Sequence, residues 1–489
     1  MRDRNIPKRD IVLLGIIAFL FVLIFSFSTS PLYPNYWGSD SAQFQTIGMA
    51  WASGKIPYRD IFDHKGPFIF WVNMLGYKMG GRAGVFTLQI LFLFFTFIGI
   101  YKIITIISWK MYIKQEGGIL ISIIFLANMY SGGNMCEEYC LPFLMFSAFG
   151  QLSFFTKQNK QLGHNVWWGF FYGITVSVCV LTRATNAIAV VCGIAVIIVA
   201  ILREKKYKNL VYNALFFLTG LIVMFVPFGI YFGIKGAFGE FLFGTLGYNI
   251  IYATDMKAWI TGAGLDTWII YCKMFFSVIL CIPAFILAII NKNKYCAGYY
   301  LLVGAMENYL FCTGALYQHY AIIALPNVCM FIVEMERMIQ KDKKSYKKLI
   351  QIAAFAVGVT GMVYIGEDTL NKVNVRLNNN NQYSAEYDRL MIMIPEEDQK
   401  SVAAYGGGAL KNFYLRYNII PCYRFFVLQE SQGKRSDYLT NEIALDFALC
   451  KAAYILTDED ISIVYNIIQE RYEKFGQTQR YTLYKRIDV

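Results

Sequence analysis

The segment Ser39–Pro67, SDSAQFQTIGMAWASGKIPYRDIFDHKGP, decides how this chain is read. It carries Asp40, Arg59, Asp60, Asp63, His64 and Lys65, interleaved with Phe44, Trp51, Tyr58 and Phe62. Apolar sequence stands on both sides of it. A chain otherwise so apolar has gathered charge in its first polar loop. Chemistry at a membrane surface is to be sought there.

The 489 residues are 56% hydrophobic and 16% charged, where soluble domains run nearer about 25% charged. Mean hydropathy is +0.42. This is the composition of a polytopic membrane protein. The net charge of +12 does not point to nucleic acid, because Lys and Arg fall in short runs between apolar segments, as topology signals do.

Eleven apolar runs are expected to span the membrane: 11–29, 83–108, 117–134, 137–156, 165–182, 184–202, 209–232, 266–291, 296–313, 319–336 and 349–366. The first follows RDRNIPKRD without a small-residue cleavage site, so it reads as a retained helix. The run Gly66–Met79 is short and amphipathic, and is expected to lie at the interface or re-enter it. With the N-terminus in the cytoplasm, alternate connections are basic, through Arg2, Arg4, Lys8 and Arg9, Lys110 and Lys114, Lys157 and Lys160, Arg203 to Lys208, Lys292 and Lys294, and Lys341 to Lys348. The other side then receives Ser30–Arg82, Gly233–Asp266 and the tail.

The chain divides into a membrane part, 1–366, with external loop 30–82, and a tail, 367–489. NKVNVRLNNNNQ reads as an Asn-rich linker. Beyond it, Ser401–Tyr405, Tyr454–Leu456 and Tyr481–Lys485 pattern as strands, and Ala409–Tyr417 as a helix. Asp458–Phe475 is expected to be a helix capped by Thr457 or Asp458. The tail is thus a small α/β domain, with Gly406–Gly408 as a loop lacking dinucleotide-binding spacing.

None of the 11 cysteines forms a CxxC pair. Most lie in apolar runs as small hydrophobes. Cys136 and Cys140 have helical spacing unsuited to a disulfide, whereas Cys422 and Cys450 can pair if the tail is extracytoplasmic. His64, His164 and His319 lack zinc-ligand spacing.

Asp40 with Gln43 matches a capping box, and Gly54 a helix stop. On that reading Asp40 caps an interfacial helix, with Trp37 and Trp51 at headgroup level. The other reading uses the mixture of groups. A carboxylate can take a proton from an attacking hydroxyl, and cations can hold a phosphate leaving group. Asp40 or Asp63 fits the base; Lys65, His64 and Arg59 fit the phosphate. Arg183, in LTRATNA, and His319 with Tyr320, in YQHY, lie at outer span ends where they could join this site. Snorkelling would also account for Arg183, and an interfacial position for His319.

The stretch WGSDSAQFQTIGMAWASGKIPYRDIFDHKGP resembles the first external loop of bacterial membrane glycosyltransferases of the GT-C fold. The resemblance is to family 39, the clade of protein O-mannosyltransferases and the lipid A aminoarabinose transferase. It implies a catalytic base at Asp40 and carrier-phosphate contact by Lys65. LTRATNA, YQHY and GNMCEEYCLPF resemble further family segments, at Arg183, at His319 and Tyr320, and at Glu137 and Glu138. The implied donor is a polyprenyl-phosphate-linked sugar, with an extracytoplasmic acceptor and a multi-pass plasma-membrane protein. Many relatives carry a second acidic residue where Ser41 stands, which leaves a divalent cation open. A transporter or flippase is the alternative class, although the spans carry little charge away from their ends, Glu307 being the main exception and Lys273 lying nearer an outer end. A glycan polymerase or ligase shares the outer-face geometry.

Overall fold

The structure, a computed structural model, describes residues 6–35, 38–107, 115–156, 163–254, 279–313, 317–341, 347–378, 382–458 and 460–487. Trp37, Lys273, several basic-loop residues (Arg2, Arg4, Lys110, Lys114, Lys157, Lys160, Lys343 and Lys344) and the first half of the 266–291 span lie outside the described residues.

The membrane part begins with α1 (Lys8–Phe25), α2 (Ser39–Ala52), α3 (Pro67–Gly80), α4 (Arg82–Ile104), α5 (Gln115–Met129), α6 (Cys136–Phe155) and α7 (Val166–Val180). It continues through α8 (Ile188–Arg203), α9 (Tyr207–Ile234), α10 (Phe238–Leu242), α11 (Tyr248–Thr254) and α12 (Ile279–Ile290). Then follow α13 (Lys294–Thr313), α14 (Leu325–Lys341) and α15 (Lys347–Asn378). Apart from 266–291, and 349–366, whose helix runs on to Asn378, each predicted span has its helix within about six residues. Among the described residues three helices are long and apolar enough to cross a membrane by themselves: Arg82–Ile104, Ala184–Arg203 and Tyr207–Ile234. Other spans are shorter or carry polar ends. On α9, Val211, Leu215, Leu218, Ile222, Val226 and Ile230 are all exposed, a stripe suited to lipid rather than water. Its other face meets α7 with backbones nearly touching. A Cβ on Gly173 would lie 2.1 Å from the Phe217 carbonyl oxygen, and one on Gly220 equally close to that of Phe170. Small residues let membrane helices approach in this way.

In the first loop, the core-facing sides of α2 and α3 are covered by protein. Phe44, Ile47 and Ala50 of α2 and Phe68, Ile69 and Phe70 of α3 are buried against each other and the bundle. Trp51 is 8% exposed, and its indole N–H donates to the Tyr231 hydroxyl at 2.6 Å. Amphipathic spacing cannot tell a protein-covered face from a lipid-covered one.

The tail comprises α16 (Gln382–Ile392), β1 (Val402–Tyr405), α17 (Phe413–Tyr417), α18 (Gln429–Gly433), α19 (Asp437–Ala448), β2 (Tyr454–Thr457), α20 (Tyr465–Arg471), β3 (Tyr472–Gln477) and β4 (Thr482–Arg486). The sheet order is β1-β2-β4-β3. β1 pairs parallel to β2, Val402 opposite Tyr454, and β4 runs antiparallel to both β2 and β3. The Asn-rich linker is instead the last turns of α15, which runs to Asn378. The expected helix Asp458–Phe475 shrinks to α20, because residues 472–477 pair with β4 and sheet pairing overrides their helical pattern. Its expected caps serve elsewhere. Asp458 accepts the Gly407 N–H at 2.9 Å, and the Thr457 hydroxyl donates to the Thr482 carbonyl. Ala409–Tyr417 breaks into a 3₁₀ turn, 408–410, and α17. Cys422 and Cys450 are free thiols, as are Cys136 and Cys140.

The tail packs directly on the first loop. Phe62 belongs to the tail's apolar core, its ring 5.1 Å from that of Phe425. The Phe62 N–H donates to the Arg424 carbonyl at 2.8 Å, and Arg424 Nε donates to the Tyr58 carbonyl at 2.8 Å.

Candidate active site

Gly38, at φ +99°, is the N-cap of α2, and no side chain caps this helix. Asp40 is therefore inside the first turn, and the expected capping box is absent. A carboxylate there is still favoured by the helix dipole. Asp40 Oδ1 accepts a hydrogen bond from Lys411 Nζ at 3.2 Å. Lys411 lies between the 3₁₀ turn and α17, with its side chain 8% exposed; that of Asp40 is 40% exposed. Burial alone would raise the Asp40 pKa. Lys411, Lys65 and His319 outweigh it and hold the carboxyl below its ordinary value.

Residues 56–66 form a tight knot that presents Lys65. The Tyr58 N–H donates to the Ile61 carbonyl at 2.7 Å, and the Ile56 N–H to Asp60 Oδ2 at 2.8 Å. Buried Tyr58, at φ +70°, donates its hydroxyl to the Lys65 carbonyl at 2.7 Å. Asp63 Oδ1 lies 3.0 Å from His64 Nδ1, and His64 Nε2 lies 3.0 Å from Lys65 Nζ. Burial would raise the Asp63 pKa, but its His64 hydrogen bond and the nearby cations hold it low. Burial and Lys65 push the His64 pKa down, against the pull of Asp63. The pair is therefore an ionised carboxylate beside a neutral imidazole. That imidazole donates from Nδ1 and accepts the Lys65 ammonium at Nε2.

The next residues lock this knot to the α7–α8 turn. The Gly66 N–H donates to the Thr182 carbonyl at 3.0 Å, and the Phe68 N–H to that of Leu181 at 2.9 Å. A Cβ on Gly66 would sit 2.2 Å from the Leu181 carbonyl carbon, so only glycine fits. Lys65 is thereby set beside Arg183, with Tyr320 also in its field. Arg183 Nη1 meets Glu137 Oε1 at 2.9 Å, and the guanidinium carbon stands 3.3 Å from the Tyr320 ring centroid. The His319 and Tyr320 rings are 4.7 Å apart.

Asp40, Asp63, His64, Lys65, Glu137, Arg183, His319 and Tyr320 thus share one electrostatic neighbourhood. Two predicted residues are placed differently. Arg59 pairs with Asp60 at 2.8 Å and donates to the Lys235 carbonyl, on the exposed rim. Glu138 is buried in a separate network, accepting from the Tyr130 hydroxyl, Gln89 Nε2 and the Asn134 N–H. Asn134 Nδ2 in turn donates to Ser41 Oγ at 2.9 Å, so Glu138 braces α2 beside Asp40. Sequence reasoning missed Lys411. It stands in GGGALKNF, 371 positions from its partner, and nothing local marks it.

Among the described residues no group of three His, Cys, Asp or Glu side chains is arranged to hold a metal ion. Asp40 faces Lys411 and Asp63 faces His64, so this donor set does not fit a divalent cation.

A family model described as "Putative competence-induced protein Ccs4 N-terminal domain" matches residues 3–348, and the chain belongs to that family. No curated protein matches the sequence. Among solved structures, the chain is similar to ArnT from Cupriavidus metallidurans bound to undecaprenyl phosphate, at TM-score 0.60 and 13% identity, covering 98% of each chain. It is also matched by the oligosaccharyltransferase AglB from Archaeoglobus fulgidus, in complex with an inhibitory peptide and a dolichol-phosphate, at TM-score 0.47 and 10% identity over 95% of this chain and 70% of that one. The likeness to ArnT bears out the expected fold, a GT-C-like polytopic helical membrane architecture with a small α/β tail.

Proposed function

We propose that this member of the Ccs4 family is a glycosyltransferase that moves one sugar from a polyprenyl-phosphate donor to an extracytoplasmic acceptor. The observation that carries this reading is that Lys65, set beside Arg183, lies within electrostatic reach of the Asp40 carboxylate. The likeness in fold to a structure holding undecaprenyl phosphate supports it. The finer placing, in the protein O-mannosyltransferase branch, rests on the first-loop motif.

Asp40 takes the proton of the acceptor hydroxyl as its oxygen bonds to the anomeric carbon. The bond from that carbon to the phosphate oxygen breaks on the opposite face, so configuration inverts. Lys65 and Arg183 stabilise the charge that collects on the departing polyprenyl phosphate. The Asp63–His64 pair fixes the Lys65 ammonium, while Glu137 and the Tyr320 ring fix Arg183. His319 adds a polar edge near Asp40. Lys411 keeps Asp40 ionised and gives way to the acceptor. Glu307, the residue that spoke for a transporter, is buried in α13 and accepts from Asn327 Nδ2 at 2.9 Å.

The test is transfer by the purified full chain from single-sugar undecaprenyl phosphates. Release of free undecaprenyl phosphate with sugar appearing on an acceptor or water is expected. Activity only with whole-glycan lipid carriers would favour a polymerase or ligase, and none with either would sink the reading.

The alternating basic loops support an extracytoplasmic site and tail. Asn441, exposed on α19, is the labelling position of choice, since Ser436 caps that helix through the Leu439 N–H. With Cys422 and Cys450 replaced by Ser, Asn441→Cys is expected to react with an impermeant maleimide in intact cells. Reaction only after the membrane is opened would reverse the topology.

A further inference from the structure

A cavity of about 330 Å³ lies where the tail meets the first loop. Tyr387 and Tyr417 wall it, with Asp388, Arg416, Asn35 and Asn412 among its polar lining. It is continuous in sequence with both partners of the Asp40–Lys411 pair. Asn35 leads into α2, and Asn412 follows Lys411. Its size is at the small end of the ~300–1,000 Å³ range of small-molecule sites.

The chemistry of the lining narrows the ligand. Arg416 is committed on every edge: Nε and Nη2 donate to Asp388 at 2.8 and 2.6 Å, and Nη1 to Asn35 Oδ1 at 3.1 Å. Asp388 also accepts from the Tyr417 hydroxyl. The charged pair thus neutralises itself, and neither an anion nor a cation finds an open counter-charge. What the cavity offers is amide, phenol and aromatic face. Asn412 Oδ1 is shielded from solvent and accepts no hydrogen bond. A buried acceptor without a donor carries a desolvation penalty that a ligand hydroxyl, reached by a turn of this side chain, would relieve.

We infer that this cavity is an acceptor subsite for a neutral, hydroxyl-rich saccharide. The inference rests on the transferase reading above. It gives the tail a role in the reaction. The saccharide enters between α16, α17 and the first loop, and its reactive hydroxyl reaches Asp40 as Lys411 withdraws.

Asn412→Leu separates this role from a structural one. Removing an unsatisfied buried acceptor should leave the melting temperature unchanged or raised. Binding to the full chain in detergent is read by saturation-transfer NMR with maltotetraose, mannotetraose, N-acetylchitotetraose and, as a polyanion, poly(glycerol phosphate). At least one neutral saccharide is expected to bind wild type, and to bind Asn412→Leu about 3- to 10-fold more weakly. Undecaprenyl phosphate affinity should not change. Asn35→Trp, which fills the cavity mouth, should lose the saccharide signal as well. Binding of the polyanion alone, of no saccharide, or of saccharide equally by wild type and both variants overturns the inference. Saccharide binding that responds to the variants, with no undecaprenyl phosphate binding, would retain this site and discard the transferase reading.

Discussion

Asp40→Asn is expected to lower turnover by ~10²–10⁴-fold, the usual worth of a general base, with little change in melting temperature. The fold should tolerate it for three reasons. Gly38 caps α2, so Asp40 is not needed as a cap. The amide oxygen of the substituted side chain can still accept the Lys411 ammonium. The ion pair has one partner two-fifths exposed, and such pairs contribute only about 0–1 kcal/mol. What the amide cannot do is take a proton. The same carboxylate sets the acid limb of the pH profile. Because its pKa is held below the ordinary value, the base form persists at neutral pH, and activity is lost only as pH falls through that lowered pKa. Lys411→Met removes the strongest of the charges that lower it, so the acid limb should move to higher pH. Retained turnover in Asp40→Asn would make Asp63 the next base to test.

Lys65→Met is expected to weaken donor binding about 10- to 150-fold. This corresponds to the ~1.5–3 kcal/mol of a charge-assisted hydrogen bond, at about 1.4 kcal/mol per tenfold. The side chain is of similar length and its surroundings are buried, so the fold should not suffer. The affinity of undecaprenyl phosphate for the full chain, measured by calorimetry in detergent, reads this directly. Binding of neutral saccharides should be untouched. Unchanged affinity for the lipid phosphate would remove Lys65 from the phosphate site and leave Arg183 as its main cation.

Much of this architecture could be read from hydropathy, because a membrane helix declares itself by length and composition alone. The ends of the α7, α8 and α9 helices were legible for that reason. The gathering of Lys65, Arg183 and Tyr320 was legible from their shared outer-face placement and from motif resemblance, but no local periodicity says that HKGP will dock on Leu181 and Thr182. Lys411 was illegible in both ways. A lysine after a glycine run looks like any solvated surface charge, and its partner is fixed by packing between remote segments. The helix expected over Asp458–Phe475 failed for a similar reason. Its residues are helix-compatible, and only the presence of β4 as a partner makes 472–477 a strand.

The grip of the tail on the first loop has a consequence for how the protein comes into being. Asp40 and Tyr58 emerge early from the ribosome, whereas Lys411 and Arg424 are added near the end. The 371 positions between Asp40 and Lys411 correspond to roughly 20–75 s of synthesis at ~5–20 residues per second. During that interval the membrane part can insert helix by helix while Phe62 has no apolar core to enter. A chain cut short before Lys411 would hold Lys65 and Arg183 but lack the lysine that pairs with Asp40. Completion of the Asp40–Lys411 pair is therefore timed to completion of the polypeptide.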